Sequence, residues 1–207
     1  KVLKFINRKN MPELVETPEI TAERALVIRC NRLLGSALVD ANLISNDALE
    51  IAYEKMRQMV ESGNFESASI LTALIFEQKA LEENELIEYT LKNHDVGLID
   101  LRHYTFDELP KGCDLRKCYM TWTIPFAQRD GCFFMGTGYY LSPAIVSYWE
   151  NLLNAPILWH ISSMRSIMIA LKKLSNIENR SLQEAGLENK IEPTEETQTL
   201  TAKPSQN

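Results

Sequence analysis

Histidine, cysteine and glycine are scarce in this chain: three, four and eight among 207 residues. The histidines, His94, His103 and His160, are scattered, and Cys113 and Cys118 are the only closely spaced cysteines. Neither pattern has the paired spacing of a zinc site, so no metal centre is expected. The four cysteines, with Cys30 and Cys132 as the others, are too sparse for a disulfide scaffold and read as reduced, mostly buried thiols. Apolar runs are short: Ile157-Leu158-Trp159 is far from the roughly 20 residues of a membrane span. No apolar leader follows the first residues, and with reduced thiols this makes a cytoplasmic location the expectation. Positive charge is also in deficit, with 22 Lys and Arg against 28 Asp and Glu, a net −6. Without a basic field, neither nucleic acid nor an anionic membrane is an expected partner.

Catalytic motifs are missing too. There is no phosphate loop of the G-x-x-x-x-G-K-[ST] type, no G-x-S-x-G elbow and no H-E-x-x-H helix. Gly136-Thr137-Gly138 lacks a third glycine and reads as a turn. Glu82-Glu83-x-Glu85 reads as the solvated first turn of a helix, complementing its dipole. His160, beside Trp159 in an apolar run, reads as a partly buried structural histidine, and Trp149 and Trp159 as core anchors. No enzyme activity and no cofactor are expected.

What is present is helical periodicity followed by strand texture. Residues 1–16 lack a period. Thr17-Pro18-Glu19 is a helix start. Leu26, Cys30, Leu33, Leu34, Ala37, Leu38 and Ala41 then fall on one face. A second helix opens at Ser45-Asn46-Asp47, carries Leu49, Ala52, Tyr53, Met56, Met59 and Val60, and ends at Ser62-Gly63-Asn64. A shift of 37 residues lays Leu38-Val39 on Ile75-Phe76, Ile44 on Leu81 and Leu49 on Leu86, with the break between helices matching as well. Two helix pairs, neither able to bury its own apolar face, are expected to stack over residues 17–95.

Residues 96–174 read as a second unit. Short strands are expected at Leu98–Leu101, Tyr119–Phe126, Cys132–Met135 and Pro156–Ile161. Asp130-Gly131 is the hairpin turn, and helices open at Ser142-Pro143 and Ser163. The β-β-α-β-α order makes the whole an α+β protein with a small sheet and helices on one face. Residues 175–207 are polar and mostly acidic and are expected to be a disordered tail.

Leu34-Gly35-x-x-Leu38-Val39-x-x-Asn42-Leu43-Ile44-Ser45-x-Asp47-x-Leu49 resembles the N-terminal domain of type II secretion and type IV pilus assembly ATPases, called MshEN-like. The phrase returns as Leu71-Thr72-x-x-Ile75-Phe76-x-x-Lys79-Ala80-Leu81, and the parts following it, to residue 174, come in the family's order. The family's ATPase core is not in this chain, so ATP hydrolysis is not implied. Some members bind cyclic di-GMP through arginine-leucine-glycine phrases. Here Leu33 and Ile70 stand at the arginine positions, Thr72 replaces a phrase glycine, and Asn42 and Lys79 replace later glycines. Gly35 and the apolar Leu38 and Val39 survive. Leucine and isoleucine lack the guanidinium plane and paired donors of arginine. Arg32, one position early, points about 100° away on a helix.

The resemblance implies a non-catalytic adaptor or regulatory domain that docks on a protein of a secretion or pilus machine, either an inner-membrane platform protein or an ATPase supplied in trans. A cyclic di-GMP module with a degenerate motif is the alternative. Val27, Ile28, Val39, Leu43 and Ile51 fall off the inward stripes of the first repeat and are the expected interface residues.

Overall fold

The structure, a computed structural model, describes residues 18–62, 68–106 and 109–184, with side chains from residue 21 to residue 178 within them. Its first part is four helical elements in two pairs: α1 (Pro18–Asp40), α2 (Asn46–Glu61), α3 (Ile70–Thr72) and α4 (Glu83–Asn93). Ser45 caps α2 by accepting the Ala48 N–H at 3.2 Å. α3 runs directly into a π-turn, Ala73–Glu77.

The repeat is visible in the backbone. Asn42 and Lys79, 37 residues apart, both take a left-handed conformation, with φ of 56° and 53°. After α1, the N–H of Leu43 donates back to the Leu38 carbonyl at 2.9 Å; after the π-turn, that of Ala80 donates to Leu74 at 2.9 Å. The second return spans one residue more because the π-turn widens its last coil.

The inward stripe of α1 is Val27, Cys30, Asn31, Leu34 and Leu38, rotated from the expected one, with Leu26 and Leu33 only half-buried. The cause is Asn31, a polar residue whose amide is satisfied inside. Its Nδ2 donates to the Val27 carbonyl at 2.9 Å and to the Ala68 carbonyl at 3.3 Å, and its Oδ1 accepts the Ile70 N–H at 2.9 Å.

The second part is a four-stranded mixed sheet in the order β1-β4-β3-β2, with β1 Gly97–Leu98, β2 Thr123–Arg129, β3 Cys132–Thr137 and β4 Ile157–Ile161. β2 and β3 are an antiparallel hairpin; β4 runs parallel to both β3 and β1. Asp130 and Gly131 form the hairpin turn with φ of 52° and 74°, which is why Asp-Gly marks it. The helices are α5 (Leu115–Thr121), α6 (Pro143–Leu153) and α7 (Met164–Glu184). The chain is therefore α+β.

Several boundaries differ from expectation. Tyr119–Thr121, read as strand, closes α5, because Asp114 caps that helix by accepting the Lys117 N–H at 2.8 Å. Trp122, left-handed with φ 48°, ends it before β2 begins. The first strand stops at Leu98, since Asp100 accepts the Arg102 N–H at 2.9 Å and nucleates a 3₁₀ turn over Leu101–His103. Gly136 and Thr137 are strand, not turn. α7 continues past residue 175 to Glu184, with Ile177 packed on the core, so the expected tail cannot begin at 175. The expectations for residues 1–16 and for 185–207 lie outside the described residues.

The two parts share a core. Leu34, Leu38, Leu71 and Leu74 from the helices join Ile124, Met135, Ile145 and Trp149 in one buried cluster. The Tyr139 hydroxyl, after β3, donates to Asn31 Oδ1 at 2.9 Å and lies 2.7 Å from Ser69 Oγ. A hydroxyl has one proton, so Ser69 supplies the second bond by donating to Tyr139, while its oxygen accepts the Thr72 N–H at 3.1 Å. Ser142 Oγ adds a bond to the Cys30 carbonyl at 2.9 Å.

Candidate functional site

The residues of the repeated phrases divide between core and surface. Ile70 is fully buried, Leu33 and Thr72 are half-buried, and Lys79 and Asn42 are exposed. Leu38 is fully buried, Val39 half-buried, and Phe76, the counterpart of Val39, is 42% exposed.

Gly35 is held by packing against α2. A Cβ there would lie 2.5 Å from Leu49 Cδ1 and 2.5 Å from the Tyr53 hydroxyl oxygen, whose proton goes to the Arg32 carbonyl at 3.0 Å. The counterparts one repeat on are Thr72, Leu86 and Thr90. A larger residue at the glycine position thus comes with a smaller one at the tyrosine position. The surviving phrase glycine has a structural reason that needs no ligand.

The interface candidates separate. Val27 is fully buried, which removes it from any surface; it lies inside because the α1 stripe is turned by the buried Asn31. Val39 and Leu43 are half-buried and pack against the core. Ile28, 36% exposed, and Ile51, 53% exposed, remain at the surface.

The four cysteines are free thiols, and three of them are poorly suited to nucleophilic chemistry. Burial pushes the Cys30 thiol up to about 12 against a weaker opposing pull from Arg29, and pushes Cys113 up to about 11. Cys118 is driven well above its usual value, again by burial. A thiol held protonated is a weak nucleophile and ligand. His160 sits on the sheet with Gly97 under its ring and Phe126 edge-on at 5.2 Å, its Nδ1 3.1 Å from the Leu158 carbonyl. Among the described residues, no three His, Cys, Asp or Glu side chains are grouped to hold a metal ion, and no helix is long and apolar enough to cross a membrane.

Sequence reasoning missed the buried polar group of Asn31, Ser69 and Tyr139. Its signal was a lone asparagine inside an apolar stripe, between Cys30 and Leu34. It also placed Glu83 in solvent, whereas Glu83 Oε1 accepts the Met164 N–H at 2.5 Å and so caps α7 from α4.

No family model and no curated protein matches the chain. Solved structures do. The N-terminal domain of XpsE is 16% identical over 70% of this chain and 94% of that one, with a TM-score of 0.46. A second crystal form of that domain is 19% identical over 66% and 90%, with a TM-score of 0.43. MshE with cdg is 16% identical over 68% and 97%, also at 0.43. The chain is similar to the N-terminal domain of XpsE and to MshE.

Proposed function

We propose that this chain is a non-catalytic adaptor or regulatory domain, related to the N-terminal domains of secretion and pilus ATPases, that docks on a protein of such a machine. The partner is an inner-membrane platform protein or an ATPase supplied in trans, met in the cytoplasm beside the membrane. The observation that carries this reading is the split within the repeats. Their frame is kept, with matched left-handed breaks at Asn42 and Lys79, while Ile70 at a ligand position is sealed in the core and apolar Ile28 and Ile51 face outward. Exposed apolar side chains on a rigid helical frame suit protein contact. Cys30, Cys113 and Cys118, held protonated by burial, support a non-catalytic role.

The test is a pull-down of the cytoplasmic portions of the platform protein and of the ATPase from the same cell. The wild-type chain should retain one of them, and Ile51→Glu should lose it at an unchanged melting temperature. Retention of neither by the wild type would refute the reading. MshE is seen with cdg, which makes cyclic di-GMP the ligand to test against it. Calorimetry should show no binding at low micromolar ligand, since each lost charge-assisted contact is worth roughly 1.5–3 kcal/mol, about tenfold or more in affinity. Saturable binding at that concentration would favour the nucleotide module instead.

A further inference from the structure

α1 and α6 pack side by side, yet their outer shoulders leave an open trough. Ala22, Ala25 and Leu26 of α1 form one wall, Tyr148 and Leu152 of α6 the other, and Met120 of α5 the floor. The trough measures about 490 Å³ at the Met120 end and about 400 Å³ at the Leu152 end. Leu26, Arg29 and Tyr148 line both ends. From Ala22 to Arg29 it spans two helical turns, about 10 Å.

Two ion pairs lie beside it among the described residues. Glu23 pairs with Arg116 at 2.7 Å and Asp114 with Lys117 at 2.6 Å. Arg29 is exposed and has no hydrogen bond or ion pair among the described residues. The Tyr148 hydroxyl also lacks a hydrogen-bond partner among them, and burial, helped by Asp114 and Glu23, pushes its ionisation up to about 12, so it stays an O–H donor. The trough is thus lined by apolar side chains together with Glu23, Ser147 and Asn151, and both its ends carry a guanidinium and a neutral hydroxyl, each a donor to an anion.

We propose that this trough docks an acidic amphipathic helix of a partner protein, two turns long at the contact. Apolar side chains at i, i+3 or i+4, and i+7 lie against Leu26, Met120 and Leu152, and a carboxylate on the helix flank pairs with Arg29 and accepts from Tyr148. This rests on the docking reading and deepens it by fixing the chemistry of the partner.

The test uses the full chain and two alanine-based 15-residue helices that share one leucine stripe, one flanked by glutamate and the other by lysine. Methyl NMR locates binding and fluorescence anisotropy measures it. The glutamate peptide should move the Leu26, Met120 and Leu152 methyl signals and bind about tenfold more tightly than the lysine peptide, the difference between an attractive and a repulsive rim pair. Arg29→Glu should reverse that order at an unchanged melting temperature, because Arg29 has no partner to lose. Leu152→Lys should weaken both peptides. Equal binding of the two peptides, methyl shifts elsewhere, or a chain that dimerises through the trough would each overturn the proposal. Capture of the platform protein or ATPase could survive that failure, so loss of this inference and loss of the docking reading are separate results.

Discussion

Single residues carry most of the unusual chemistry. A lysine in the left-handed region is strained by its Cβ, and Lys79 takes that conformation where glycine would be at ease. Lys79→Gly should therefore stabilise the fold by about 0.5–1 kcal/mol in urea unfolding, while Asn42→Gly should be close to neutral because asparagine tolerates the same conformation. Gly35→Ala should cost about 1–3 kcal/mol, since the added carbon meets Leu49 and Tyr53 at 2.5 Å. Titration gives a further check. Unfolded, a thiol ionises near its ordinary value of 9.0, but folded Cys30 keeps its proton up to about 12. The folded state thus holds more protons above pH 9. Stability from this thiol is complete below pH 9 and falls as pH rises from 9 toward 12. The urea midpoint should drop between pH 8 and pH 10.5, and Cys30→Ala should make that slope shallower, with Cys113 and Cys118 supplying the remainder.

Elements show where local pattern was enough and where it was not. α2 and the β2–β3 hairpin were legible because Ser45 and Asp130-Gly131 act on their own neighbours. α5 was misread because Tyr119, Trp122 and Thr123 are all strand formers, and only the Asp114 cap and the left-handed Trp122 divide them into helix and strand. α1 was rotated in the reading because Asn31 finds its partners 37 or more residues away, at Ala68, Ile70 and Tyr139. Long-range satisfaction of a polar group leaves no local period. The trough was illegible for the same reason: Leu26 and Tyr148 become neighbours only through tertiary packing. The Glu83 cap on α7 belongs to this class. Glu83→Ala should lower stability by about 1 kcal/mol, the usual cost of a lost cap, and Glu83→Gln by less, as judged by thermal unfolding.

For the whole molecule, the shared core makes the two parts interdependent. Tyr139 and Ser142 join the sheet side to α1, and Trp149 reaches back to donate to Thr121 Oγ1 at 3.0 Å. A chain ending at Leu174 should melt several degrees below one ending at Glu184, because α7 continues and the half-buried Ile177 packs against the core. Equal midpoints for the two truncations would show that this last stretch of helix contributes nothing.

The bond between Asn31 and Tyr139 also sets an order in time. The two residues are 108 positions apart. At roughly 5–20 residues per second of synthesis, about 5–20 s separate their emergence from the ribosome. For that interval α1 carries an amide without its tyrosine partner and an apolar stripe without α6. A nascent chain stalled before Tyr139 should accordingly remain open to protease at α1, and one stalled well after α6 should be closed. The helical repeats, although made before the sheet, are completed only after it.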